Sequence, residues 1–206
     1  MTVRTWMTRD PQTIGPKESL EAAQAKMSRG RFRRLPVVDD SGALVGILSE
    51  SDLRQHVGYL GTTHVNAAMS EKVLTIGPDQ PIEAAAALLL QQKIGGLPVV
   101  GDDGKLLGIV TVTDLLQGLL HSVGGSEDTS GRIDIELARP EQTLADAVQA
   151  LESAGAVILG LGAPRSRAAA ERTFYVRVLA PDLAPLADLL RKKGYAVRAV
   201  HSPQAA

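Results

Sequence analysis

Residues 46–53 read GILSESDL and residues 108–115 read GIVTVTDL. The shared phrase is glycine, two apolar residues, a hydroxyl, two spacers and an aspartate. One copy is an ordinary helix start, but two copies imply either a repeated cap or a repeated binding site. Outward from this phrase the match continues. Thr13-Ile14-Gly15-Pro16 recurs as Thr75-Ile76-Gly77-Pro78, an offset of 62 residues. The same offset holds without a gap through Glu21/Glu83, Ala22/Ala84, Leu35/Leu97, Pro36/Pro98, Gly46/Gly108 and Asp52/Asp114. Somewhat over 40% of the positions from Met7 to Gln55 equal their partners, so the chain holds two copies of one supersecondary unit.

Each copy parses alike. A short strand carries Thr-Ile and stops at Gly-Pro, a turn dipeptide. A helix follows, with Leu20, Ala23 and Met27 on one face in the first copy and Ile82, Ala85 and Leu89 in the second. Leu-Pro-Val-Val opens a strand whose first residues tolerate proline. The turns DDSG (39–42) and GDDG (101–104) lead to a second strand, Leu44–Leu48 or Leu106–Val110. The opening phrase ends that strand and starts a second helix. The predicted unit is β-α-β-β-α.

T-I-G-P, L-P-V-V with its acidic-glycine turn, and G-h-h-[S/T]-x-x-D (h, apolar) each occur twice and in order. On these marks the pair, over roughly residues 3–120, resembles a tandem of cystathionine-β-synthase (CBS) domains, the module that binds adenosine-containing ligands. The resemblance implies an α/β fold with two units in a pseudo-two-fold pair, CBS domain 1 over 1–60 and CBS domain 2 over 61–122.

Ser49 and Thr111 stand where a strand hands over to a helix, which suits an N-cap. Asp52 and Asp114, three residues on, suit the helix dipole. The same geometry also fits a cradle: helix N–H groups and a hydroxyl for a phosphate, and a carboxylate for both hydroxyls of a ribose. The glycine upstream lets backbone approach closely. The two readings are compatible. The resemblance assigns nucleotide contacts to Ser49, Asp52, Thr111 and Asp114, and to the strand positions Thr13, Ile14, Thr75 and Ile76, with Pro36 and Pro98 beside them. RGRFRR (29–34) precedes the first Leu-Pro, whereas QKIGG (92–96) precedes the second. Arginine suits polyphosphate through paired hydrogen bonds, so Arg33 joins the candidate set and the arginine side is expected to favour more phosphates. A solvated basic face is the alternative, and Glu50, where the second copy has Val112, weighs against phosphate. The ligands implied are AMP, ADP, ATP or S-adenosylmethionine.

HSVGGSEDTSG (121–131) reads as a linker, assigned to 123–131. After it the pattern restarts. Arg132–Ala138 alternates like a strand, Thr143–Gly155 carries Leu144, Val148 and Leu151 at helical spacing, and Val157–Leu161 is apolar. Phe174–Leu179 alternates again, Leu183–Gly194 is a helix with a glycine stop, and Tyr195–Val200 closes as a strand. The order βαββαβ is that of a ferredoxin-like fold. Such a unit over 132–201, after a CBS pair, resembles an ACT domain, and the whole is similar to CBS/ACT proteins of acetoin utilisation. Ligand-binding ACT domains carry an acid-x-Pro-Gly turn after the first strand. Here Ala138-Arg139-Pro140-Glu141-Gln142 lacks the glycine, so subunit packing is the role expected of this domain.

Composition limits the rest. With 206 residues, 44% apolar but only 3% aromatic, the core must be Leu, Val, Ile and Ala. A net charge of −1 argues against a nucleic-acid partner. Zero cysteines exclude thiolate metal sites, disulfides and a cysteine nucleophile. The longest uncharged apolar stretch, 154–163, is far short of a membrane span, and the first residues lack the apolar run of a signal peptide. The chain reads as a soluble cytoplasmic protein. His56, His64, His121 and His201 do not stand at the i, i+4 spacing of helix-borne metal ligands, and GLG (160–162) lacks the third glycine of a dinucleotide fingerprint. No catalytic or metal site is expected. The reading is a homodimeric adenine-nucleotide sensor acting on an unidentified partner protein. The alternative is a dimerisation adaptor with empty clefts.

Overall fold

The computed structural model describes residues 1–125, 129–163 and 172–202, so part of the expected 123–131 linker, residues 126–128, lies outside the described residues. In chain order the elements are α1 (Val3–Trp6), β1 (Thr8–Arg9), α2 (Leu20–Gly30), β2 (Arg34–Val38), β3 (Leu44–Ser49), α3 (Glu50–Gln55), a 3-10 turn (Val65–Ala67), α4 (Ile82–Gln92), β4 (Gly96–Val100), β5 (Leu106–Thr111), α5 (Val112–Ser122), β6 (Ser130–Glu136), α6 (Leu144–Ser153), β7 (Val157–Gly162), β8 (Thr173–Leu179), α7 (Ala184–Lys192) and β9 (Ala196–His201). They fall into two compact units, Met1–Leu116 and Gln117–Ala206.

The repeat is written into the cores of the first unit. One cluster of nine buried residues is Ile14, Leu20, Ala23, Met27, Leu35, Val37, Leu48, Leu53 and Val65. The other is Val3, Ile76, Ile82, Ala85, Leu89, Leu97, Val99, Val110 and Leu115. Every member of one lies 62 residues from a member of the other. For eight pairs the later residue belongs to the second cluster; for Val3 and Val65 the order is reversed. The segment leading into each copy therefore fills the core of the other copy.

Ile14 and Ile76 were expected on short strands. Each instead forms a single parallel bridge, to Val37 and to Val99. Two backbone bonds hold Ile14, from its N–H to the Pro36 carbonyl and from the Val38 N–H to its own carbonyl. Gly-Pro follows at once, and proline has no N–H to extend a ladder. β2 pairs antiparallel with β3 and β4 with β5, with the same register shift at Val37/Val38 and at Val99/Val100.

The glycines of the repeated phrase make room for chain, not for ligand. A Cβ on Gly108 would stand 2.7 Å from the Thr8 carbonyl oxygen and 2.8 Å from the Met7 sulfur. One on Gly46 would stand 2.5 Å from the Met69 sulfur but 3.2 Å from the Ser70 carbonyl oxygen. A thioether can swing aside, whereas the β1 backbone is held by its pairing with β5. Gly108→Ala should therefore cost about 1–3 kcal/mol, and Gly46→Ala less, in chemical denaturation.

In the second unit β6-α6-β7-β8-α7-β9 forms an antiparallel sheet of order β7-β8-β6-β9, the βαββαβ layout expected of a ferredoxin-like fold. Alternation sends Ile133 and Ile135 of β6 and Val176 and Val178 of β8 into one cluster with Leu151 of α6 and Leu190 of α7. Thr143 caps α6, its Oγ1 accepting the Asp146 N–H at 3.1 Å. Gly155 (φ 84°) and Gly194 (φ 87°) turn the chain out of the two helices.

Candidate functional site

Ser49 ends β3, and Asp52 lies in the first turn of α3. Asp52 Oδ2 accepts the Ser49 N–H at 2.8 Å and the Ser49 hydroxyl at 2.6 Å, while the Asp52 N–H donates to Ser49 Oγ at 3.4 Å. Thr111 and Asp114 repeat this at 2.7, 2.7 and 3.4 Å. Both phrases are thus reciprocal caps. In each, one carboxylate oxygen is consumed. The other, Oδ1, takes no hydrogen bond from any described residue, which leaves lone pairs for further donors. α3 has only six residues, and the Glu50 N–H donates to the Arg33 carbonyl, as Val112 does to Gly95.

A cleft of about 250 Å³ opens beside the first cap. Its lining combines the polar Arg34, Ser49, Asp52, Ser70 and Lys72 with the apolar Ile47, Val73, Leu74, Ile94 and Pro98, and Gly96. Both repeats contribute. Arg34 sits directly across the β2–β3 pair from Ser49, and its Nη1 lies 3.8 Å from where a Cβ on Gly95 would be.

Of the sequence-predicted residues, Ser49, Asp52 and Pro98 meet in this cleft. Thr111 and Asp114 sit at the matching place in the second repeat. Arg33 is exposed and serves through its carbonyl, while Arg34 next to it lines the cleft. Ile14 and Ile76 point into the cores, and Pro36 is buried with its carbonyl bonded to Ile14. Thr13 is half-buried, its carbonyl accepting Lys26 Nζ at 3.1 Å. Nearby, Glu18 accepts the Gly15 N–H at 2.8 Å, a bond that holds its carboxyl below the usual range with help from Lys26. Gln80 and Leu88 replace Glu18 and Lys26 around half-buried Thr75. Sequence reasoning named Arg34 only as part of the basic run, and it missed Ile47, Ser70, Lys72, Val73, Leu74, Ile94 and Gly96. A signal existed for Ser70, since Met7-Thr8 and Met69-Ser70 stand at the repeat offset.

Comparison with known proteins bears on this site. The CBS domain profile matches residues 3–59 and 65–121, over half the chain. Inosine-5'-monophosphate dehydrogenase of Halobacterium salinarum is 31% identical over 148 residues, 71% of this chain but 29% of that enzyme. The chain thus spans less than a third of the length of the curated relatives it matches first. Among solved structures, CBSX2 in complex with AMP is 31% identical with a TM-score of 0.53, covering 58% of this chain and 96% of that one. CBSX2 comes from Arabidopsis thaliana. The CBS domain pair of protein MJ0100, bound to 5'-methylthioadenosine and S-adenosyl-L-methionine, is 27% identical with a TM-score of 0.52 over 58% of this chain and 99% of that one. A protein designated AcuB, for acetoin utilisation, from Vibrio cholerae is 29% identical with a TM-score of 0.54 over 58% and 90%. Two profile matches at the repeat offset, on two matching nine-residue cores, place this chain in the CBS-domain family.

Proposed function

We propose that the chain is a regulatory, non-catalytic sensor of an adenosine-containing ligand, which binds between the CBS repeats and acts through a partner protein. The observation that carries this reading is the first cleft, where Asp52, with one carboxylate oxygen unengaged by the described residues, shares the lining with apolar residues from both repeats. A ribose diol has the donors that oxygen needs, and Ile47, Ile94 and Pro98 offer apolar surface to a base. Because both repeats line the cleft, a ligand there favours one arrangement of them, shifting a population without chemistry. The AMP, S-adenosyl-L-methionine and 5'-methylthioadenosine bound to similar CBS pairs support the ligand class. Thr111 and Asp114, the counterparts of Ser49 and Asp52 in the second repeat, are the candidate second site.

The ACT-like reading of the second unit rests on its βαββαβ layout. Its role is subunit contact rather than amino-acid binding. The turn that would need a glycine is closed by Gln142, whose Oε1 accepts the Arg139 N–H and whose Nε2 donates to the Gly194 carbonyl. Val112, Leu116, Leu119 and Leu120 stand exposed on α5 at i, i+4, i+7 and i+8, an apolar stripe that suits a homodimer. Among the described residues no helix is long and apolar enough to cross a membrane.

The test is thermal unfolding of ligand-free protein against AMP, ADP, ATP, adenosine and S-adenosylmethionine. A binder at about a hundred times its Kd adds about 2.7 kcal/mol to the native state, a rise on the order of 5–10 °C. No rise with any of them would leave the adaptor reading.

A further inference from the structure

At the repeat offset α5 is the counterpart of α3, and the two bury the same face, Leu115 in one core and Leu53 in the other. Their outward faces differ. Val112, Leu116, Leu119 and Leu120 stand exposed on α5, with Leu116 and Leu120 more than half open to solvent. The first repeat has Glu50, Arg54, Val57 and Gly58 at those places, and its helix stops at Gln55. α4 and α2 repeat the contrast, with Leu90 exposed where the first copy has Ser28. The first repeat folds around an equal core without an apolar outer face, so the fold itself does not require the stripe. Leucines clustered this way in water mark a contact.

Charge decides what covers it. Beside the stripe α5 exposes Thr113, Gln117 and Ser122, and His121 is the only titratable side chain exposed on the helix. A surface shaped for a charged partner carries the opposite charge, and this one carries no fixed charge. A two-fold contact asks only that the face suit itself. Two α5 helices laid antiparallel bring leucine to leucine and set each N-terminus beside the other's C-terminus. Leu116 is the midpoint of 112–120 and then lies at the axis. Packing α5 on the first repeat's α3 would instead bury Glu50 and Arg54 against leucine.

We infer that two copies of this chain associate second repeat to second repeat, through an isologous α5–α5 contact centred on Leu116, and that α3 stays outside it. This rests on the homodimer reading above and adds which helix makes the contact and in what arrangement.

The test is sedimentation velocity of the full chain over a concentration series, joined to disulfide trapping. Leu116→Glu should raise the dimer dissociation constant roughly a hundredfold or more, because the axis sets two like charges together in an apolar contact. Arg54→Glu should leave that constant within about twofold. Both side chains are exposed, and an unchanged circular-dichroism spectrum shows each variant folded. The chain has no cysteine, so under mild oxidation Leu116→Cys can link only to its own copy. It should give a covalent dimer, since residues at the axis of two packed helices come within disulfide reach, whereas Arg54→Cys should give none. A dimer that survives Leu116→Glu, that Leu116→Cys fails to trap or that Arg54→Cys traps would overturn the inference while leaving the homodimer standing. A wild type that stays monomeric throughout the series would bring down both.

Discussion

Asp52→Ala is expected to weaken binding of the adenosine ligand by roughly a hundredfold while costing the fold only about 1 kcal/mol. The two effects come from the two oxygens of one carboxylate. Oδ2 holds the Ser49 N–H and hydroxyl, and removing such a cap costs about 0.5–2 kcal/mol. Oδ1 is unengaged by the described residues and, in the proposed sensor, accepts the ribose hydroxyls. Hydrogen bonds to a charged group are worth about 1.5–3 kcal/mol each, so losing two corresponds to a factor of about a hundred or more. Thermal unfolding with and without ligand separates the terms. A small fall in ligand-free Tm with the ligand-induced rise abolished is the sensor result. The same small fall with the rise intact would make the phrase a cap and nothing else. Asp114→Ala has the same cap to lose, so its effect on the rise reports whether the second copy of the phrase binds ligand too.

Leu97→Ala is expected to be the most damaging single change to the first unit, at about 3–5 kcal/mol. Leu97 is fully buried on β4. It pairs with the fully buried Val110 on β5, so truncation leaves a cavity walled by strand on one side. For a unit of this size the loss lowers Tm by roughly 10 °C or more. Differential scanning calorimetry should show it in the transition of Met1–Leu116. The other unit has a cluster of its own around Ile133, Leu151 and Val176, and its transition should stay within a degree or two. Equal movement of both would show that the two units unfold as one.

Much of this was legible because it is local or periodic. The helical faces of Leu20, Ala23 and Met27 and of Ile82, Ala85 and Leu89 are buried as their spacing predicts. The hydroxyl and aspartate of the repeated phrase form caps because three residues of helix bring them together whatever surrounds them. Arg34 was passed over for Arg33 because both lie in one basic run, and only the pleat decides which side chain faces the cleft. Lys72 and Ile94 carried no pattern of their own. Their role comes from elements far apart in sequence that meet at one cleft.

The 62-residue offset by itself determined that the first unit is two copies of one structure, with nine matching core positions in each. Side chains at equal spacing on equal backbones bury equal faces. It could not determine which copy each lead-in segment fills. Val3 and Val65 fit either core in size and chemistry, and an offset is blind to exchange. That choice was made in three dimensions, where β1 pairs with β5 and Ser70 bridges to Ile47. The glycines at 108 and 46 leave the space for those crossings, and one crossing brings Lys72 into the cleft beside Ser49 and Asp52.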